Sequence, residues 1–159
     1  MKPMTAGATH RIGSVRTVTQ WVALLFGLWF TVGNYVIGTA IWPGTVTEPG
    51  SMHMTHLLGF IPVMVNGWHL YFHLLTGLAC LAAATSHGRA RIGCLLIGAI
   101  YVATGLVGLA THGGIYGLIM ADTFGNWVHI VEGTGLLLGA WMSRAARPKQ
   151  PRALRPASG

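Results

Sequence analysis

Apolar side chains run along the chain in four long blocks, approximately Gln20 to Trp42, Gly67 to His87, Ile92 to Thr111 and Thr123 to Ser143. About 20 residues at 1.5 Å rise cover the ~30 Å hydrocarbon layer of a bilayer. The pattern therefore predicts an all-α integral membrane protein, a bundle of four transmembrane helices. Small and polar residues recur within the blocks at helical spacing: Gly27, Thr31, Asn34 and Gly38; His69, His73, Thr76, Gly77 and Cys80; Gly98, Tyr101, Thr104 and Gly108; His129, Glu132, Gly133 and Ala140. Polar groups in hydrocarbon are costly, so these stripes predict the inward faces. The first block is longer than a signal-peptide core and no small-residue cleavage site follows it, which favours an uncleaved anchor. Segments 57–65 and 113–121 are too short to span and are expected to lie at the outer interface.

The blocks contain a repeat. Asn66-x6-His73-x3-Gly77 recurs 56 positions later as Asp122-x6-His129-x3-Gly133, and Leu24-Leu25-Phe26-Gly27 is echoed more weakly by Leu95-Leu96-Ile97-Gly98. The expected architecture is two tandem helical hairpins related about the membrane normal. Asn66 and Asp122 stand where helix caps belong, with side chains able to accept from the first free amides.

Composition agrees with lipid surroundings. Of 159 residues, 52% are hydrophobic and 8% charged, too few charges to cover a soluble domain, while 23 glycines allow close helix contact. The basic residues fall in an arm at 1–19 (Lys2, Arg11, Arg16), between the second and third blocks (Arg89, Arg91), and in a Pro/Arg-rich tail at 144–159 (Arg144, Arg147, Lys149, Arg152, Arg155). The bias of Lys and Arg toward the cytoplasm then puts both termini inside, with the transmembrane domain at 20–143. Anionic lipid headgroups account for the formal charge of +7, and no nucleic acid is needed. Cys80 and Cys94 form no Cys-x-x-Cys motif and are expected to be packed, reduced thiols.

Candidate chemistry sits in the inward stripes. His73 and His129 each lie seven residues past their caps, about 10 Å down their helices. With Asn34 and Thr104 they are expected to form one polar layer. Two histidines on opposite sides of a bundle could ligate a haem b, with Gly77 and Gly133 making room for the macrocycle. A metal ion on His69, His73, His129 and Glu132 is the variant, since an all-N/O ligand set suits zinc or iron. Imidazoles hydrogen-bonded across a tight interface explain the same residues without a cofactor. Glu132, the one acid inside a span, is expected to be neutral unless His129 or His69 shares its proton. It could work with His129 as a proton relay, or simply hydrogen-bond Thr76 or Asn34. His53, His56 and His112 could form an external surface metal site.

The stretches Val65-Asn66-Gly67-Trp68-His69-Leu70-Tyr71-Phe72-His73-Leu74-Leu75-Thr76-Gly77 and Ala121-Asp122-Thr123-Phe124-Gly125-Asn126-Trp127-Val128-His129 resemble a family of small actinobacterial membrane proteins known as domain of unknown function 4383. The likeness covers roughly residues 20–143 and departs from the family pattern at Gly67-Trp68-His69 and at Glu132. It implies four helices in a bacterial plasma membrane, puts weight on His73 and His129, and brings no activity with it.

No nucleophile triad, phosphate loop or paired catalytic carboxylates are visible, so an enzyme is not expected. The leading expectation is a multi-pass accessory or structural protein that binds partner subunits, a second copy of itself or lipid. Gly135-x3-Gly139 serves as its helix-contact motif. The alternatives are a haem or metal protein using His73 and His129, and a small proton-coupled transporter using Glu132 and His129.

Overall fold

A computed structural model describes residues 16–111, 115 and 118–145. The basic arm through residue 15, the tail from residue 146 and His112 lie outside the described residues.

The first helix, α1, runs over Val18–Ile41. Thr17 starts it through a capping box: its hydroxyl accepts from the Gln20 amide while the Gln20 side chain accepts from the Thr17 amide. Its stretch Trp29–Val36 is wound as a π-helix, a form that concentrates at functional sites. A short helix α2 (Gly44–Thr47) leads into strands β1 (Met52–Leu57) and β2 (Ile61–Asn66), paired antiparallel with His53 opposite Val65. Leu58 and Gly59 turn the hairpin with φ of 54° and 82°. Helices α3 (Gly67–Ala83), α4 (His87–Ala110) and α5 (Thr123–Ala145) complete the chain.

The helices close on each other through glycine. A Cβ on Gly98 would sit 2.8 Å from the Gly133 carbonyl oxygen, and one on Gly133 would sit 2.6 Å from that of Gly98. The α4 and α5 backbones are thus in mutual contact, the arrangement that small residues permit in lipid. At one end of the bundle the Thr19 hydroxyl donates to the Gly139 carbonyl at 2.9 Å. There too the Gln20 amide group donates to that of Ala84 at 3.1 Å, and Thr17 meets His87 at 3.1 Å. The starts of α1 and α4 therefore share an end with the finishes of α3 and α5. Phe30, Cys80, Cys94, Tyr101 and Leu136 fill the core between them.

The expected all-α bundle of four transmembrane helices is corrected in two respects. Residues 52–66, expected in part to lie as an interfacial segment, form the β1–β2 hairpin instead. Among the described residues, only Val18–Ile41 and His87–Ala110 are long and apolar enough to cross a membrane, so two candidate spans stand where four were expected. The physical reasons differ. With 17 residues, α3 rises only about 26 Å. Helix α5 has the length, but Asn126, His129 and Glu132 interrupt its apolar run. Arg89 and Arg91 also belong to the first turns of α4 rather than to a connecting turn.

The two candidate spans point to membrane association, and the surface agrees. Trp21, Leu25, Leu28, Val32 and Ile37 on α1, Leu96 and Leu106 on α4, and Val131 and Leu138 on α5 are all exposed. Apolar exposure on that scale belongs against lipid or protein rather than water.

Candidate metal centre

The site begins with its caps. Asn66 Oδ1 accepts from the His69 amide at 3.0 Å, and Asp122 Oδ1 accepts from the Gly125 amide at 2.7 Å. Each side chain also reaches into the other half of the chain. Asn66 Oδ1 accepts from the Met120 amide at 3.3 Å, and Asp122 Oδ2 accepts from the Met64 amide at 2.6 Å. Met64 and Met120, like Asn66 and Asp122, stand 56 positions apart, so the two bonds are counterparts under the repeat. Asn66 Nδ2 adds a bond to the Leu118 carbonyl at 2.7 Å. Asn66 is fully buried, and this clasp fixes where α3 starts relative to the segment preceding α5.

Inside the clasp His69, His73 and His129 converge. All three are buried, and one candidate ligand nitrogen from each lies within 4.8 Å of the others. The His69 and His73 rings stack at 4.8 Å between centroids, with His129 at 4.9 Å from the first and 5.5 Å from the second. Phe30, Phe72 and Tyr101 pack around them.

The hydrogen bonds at each ring decide what it offers an ion. His69 Nδ1 lies 2.8 Å from the Met120 carbonyl oxygen, which only accepts, so Nδ1 carries the hydrogen. The neutral ring then presents a lone pair at Nε2, 3.0 Å from His129 Nε2. His73 Nδ1 is 2.9 Å from the Tyr101 hydroxyl, which is 2.8 Å from Thr76 Oγ1, which donates to the Phe72 carbonyl at 2.8 Å. Running the hydrogens toward that carbonyl satisfies every member of the chain and leaves His73 Nε2 bare. Two imidazoles thus donate from Nδ1 to protein acceptors and present Nε2, the pattern of metal-ligating histidines. His129 Nδ1 is buried with no partner among the described residues.

The donor set fits an ion. At 2.0–2.1 Å from each nitrogen, three ligands stand about 3.4 Å apart. The His69–His129 gap must widen from 3.0 Å, and the widest gap must close from no more than 4.8 Å.

Other expectations fare differently. At the two glycines expected to make room for it, a haem finds no slot. A Cβ at Gly77 would strike Thr31 and lie 3.0 Å from Phe30 Cβ, and one at Gly133 would lie 2.7 Å from the Val102 amide nitrogen. Neighbouring helices fill the space assigned to the macrocycle. Glu132 does not join the cluster: its Oε1 accepts from Trp29 Nε1 at 2.6 Å, while Oε2 is buried without a partner among the described residues. No hydrogen bond connects it to His129, as the relay reading needs. In the expected polar layer Thr104 is buried, but Asn34 turns back to the Trp29 carbonyl at 3.4 Å, within the π-helical stretch. His53 and His56 stand an odd number of residues apart on β1, so they point to opposite faces and cannot chelate together. Gly135 and Gly139 pack on Phe26 and Val22 of α1, which occupies the helix-contact motif internally.

Sequence reading missed Tyr101 as a partner of His73, although it stands on the inward stripe at that depth. The Met120 carbonyl and Trp29 were missed as well, and neither carries a local signal. No curated protein and no solved structure matches this chain. One family model, described as "Domain of unknown function (DUF4383)", matches residues 20–142, a stretch that includes all three histidines and Tyr101. The chain belongs to that family.

Proposed function

We propose that the protein is a membrane-associated metal-binding protein whose single transition-metal ion rests on His69, His73 and His129. The observation that carries this reading is the convergence of three buried imidazoles, two of them held at Nδ1 by the Met120 carbonyl and the Tyr101 hydroxyl. A core packed only for stability gains little by burying three imidazoles against one another.

In this reading the end of the bundle that holds Arg16, Arg89 and Arg91 faces the cytoplasm of a bacterial cell, against anionic headgroups, and the chain crosses the plasma membrane more than once. The starts of α1 and α4 share that end, and the three carboxylates of the chain, Glu48, Asp122 and Glu132, lie beyond it. The metal then sits toward the outer side.

Elemental analysis of the full chain purified in mild detergent tests the proposal. About one ion per chain is expected, with none retained by His69→Ala, His73→Ala or His129→Ala. Metal content that is unchanged in all three variants refutes it.

A further inference from the structure

We infer that the ion is monovalent copper, an inference that rests on the metal reading above. The three converging donors are neutral imidazoles. No carboxylate joins them: Glu132 is drawn to Trp29, both oxygens of Asp122 accept backbone amides, and Glu48 is exposed and bound to Ser51. The cost of moving an ion from water into a medium of low dielectric grows with the square of its charge. A divalent ion therefore costs about four times what a monovalent one does, and three neutral imidazoles bring no negative charge against it.

Coordination number points the same way. Zinc completes a tetrahedron, so on three histidines it takes a water or hydroxide as its fourth ligand. Aromatic rings, rather than charged groups, pack against two of the three imidazoles. Phe30 and Tyr101 lie 5.6 and 5.7 Å from the His73 ring, and Tyr101 and Phe72 lie 5.5 and 6.2 Å from that of His129. Copper accepts imidazole ligands, and its monovalent, closed-shell form is satisfied by three nitrogens in a plane. Such a site needs no fourth ligand.

The test is a pair of titrations of the full chain, stripped of metal in detergent micelles and kept anaerobic. Cu(I) is offered in competition with bicinchoninate, and Zn(II) in competition with a chromogenic zinc chelator. The expected result is one Cu(I) withdrawn per chain and no stoichiometric Zn(II). Tyr101→Phe, which keeps the ring and removes only the hydroxyl, is expected to weaken Cu(I) about 10- to 100-fold. Zn(II) retained at one per chain, and lost in His73→Ala, overturns the copper inference and leaves the metal reading standing. Neither ion retained by the wild-type chain overturns both.

Discussion

Nε2 of His69 lies 3.0 Å from Nε2 of His129, bridging α3 and α5 across the middle of the bundle. Without an ion, one ring must donate to the other. His69 is already committed at Nδ1 to the Met120 carbonyl, so the donor is His129, and its own Nδ1 has no partner among the described residues. An ion between the two rings replaces that single bond with stronger ones. Metal binding and the closing of α3 on α5 are in this sense one event.

Removing the hydroxyl of Tyr101 separates positioning from packing. Phe30 and Phe72 hold the Tyr101 ring at 4.4 and 5.0 Å, and Tyr101→Phe leaves those contacts in place. A stability loss of about 1 kcal/mol is expected for the bond to His73, measured by thermal unfolding in detergent, together with weaker metal binding. An unchanged metal affinity contradicts the role given to Tyr101.

Asn66→Ala removes a helix cap and the clasp on 118–120 together. The cap contributes ~1 kcal/mol, and losing the part-buried bonds to the Met120 amide and the Leu118 carbonyl adds about 0.5–1.5 kcal/mol each. Unfolding measurements should therefore show a larger loss than for Thr17→Ala at the start of α1, where the hydroxyl's bonds to Gln20 and His87 are only part-buried or exposed. Equal losses for the two would mean that the clasp contributes nothing.

How much of this was legible in the sequence depends on whether a signal is local. The caps at Asn66 and Asp122 could be read, because capping needs only a short polar side chain ahead of a helix. Their second bonds, to Met120 and Met64, join residues more than 50 positions apart and left no trace except the repeat itself. The same repeat explains the asymmetry of the site. His73 and His129 are counterparts, but the counterpart of His69 is Gly125, a position with no side chain. Tyr101 likewise corresponds to Phe30, matched by the offset that pairs Leu24 with Leu95, and only Tyr101 carries a hydroxyl. The β1–β2 hairpin did have a signal: Met52, His53, Met54 and Thr55 alternate in character and in exposure. The surrounding apolar residues masked it. The π-helical turn of α1, which breaks the 3.6-residue spacing that put Asn34 in the polar layer, had none.

Glu132 offers a control on the ligand set. Trp29→Phe strips its carboxylate of the one donor it has among the described residues, and a loss of about 1.5–3 kcal/mol is expected for a buried charged or polar acceptor. Metal content should stay at the wild-type level in both Trp29→Phe and Glu132→Gln. An ion lost from folded Glu132→Gln would place the carboxylate in the site.

Close approach of α4 and α5 depends on glycine. Gly98→Ala and Gly133→Ala each push a methyl group against a backbone oxygen and should cost about 1–3 kcal/mol. Gly50→Ala, which meets nothing within 4 Å and has an ordinary φ, should be near neutral. Matching melting temperatures for all three variants would contradict the packing described.

X-ray absorption at the metal edge of the full wild-type chain, purified in mild detergent, tests the central claim most directly. Three imidazole nitrogens at about 2.0 Å, with the multiple scattering of intact rings and no sulfur or carboxylate oxygen in the first shell, are the expected result. A chain that carries no metal, or an ion whose first shell contains sulfur or carboxylate oxygen, would contradict it.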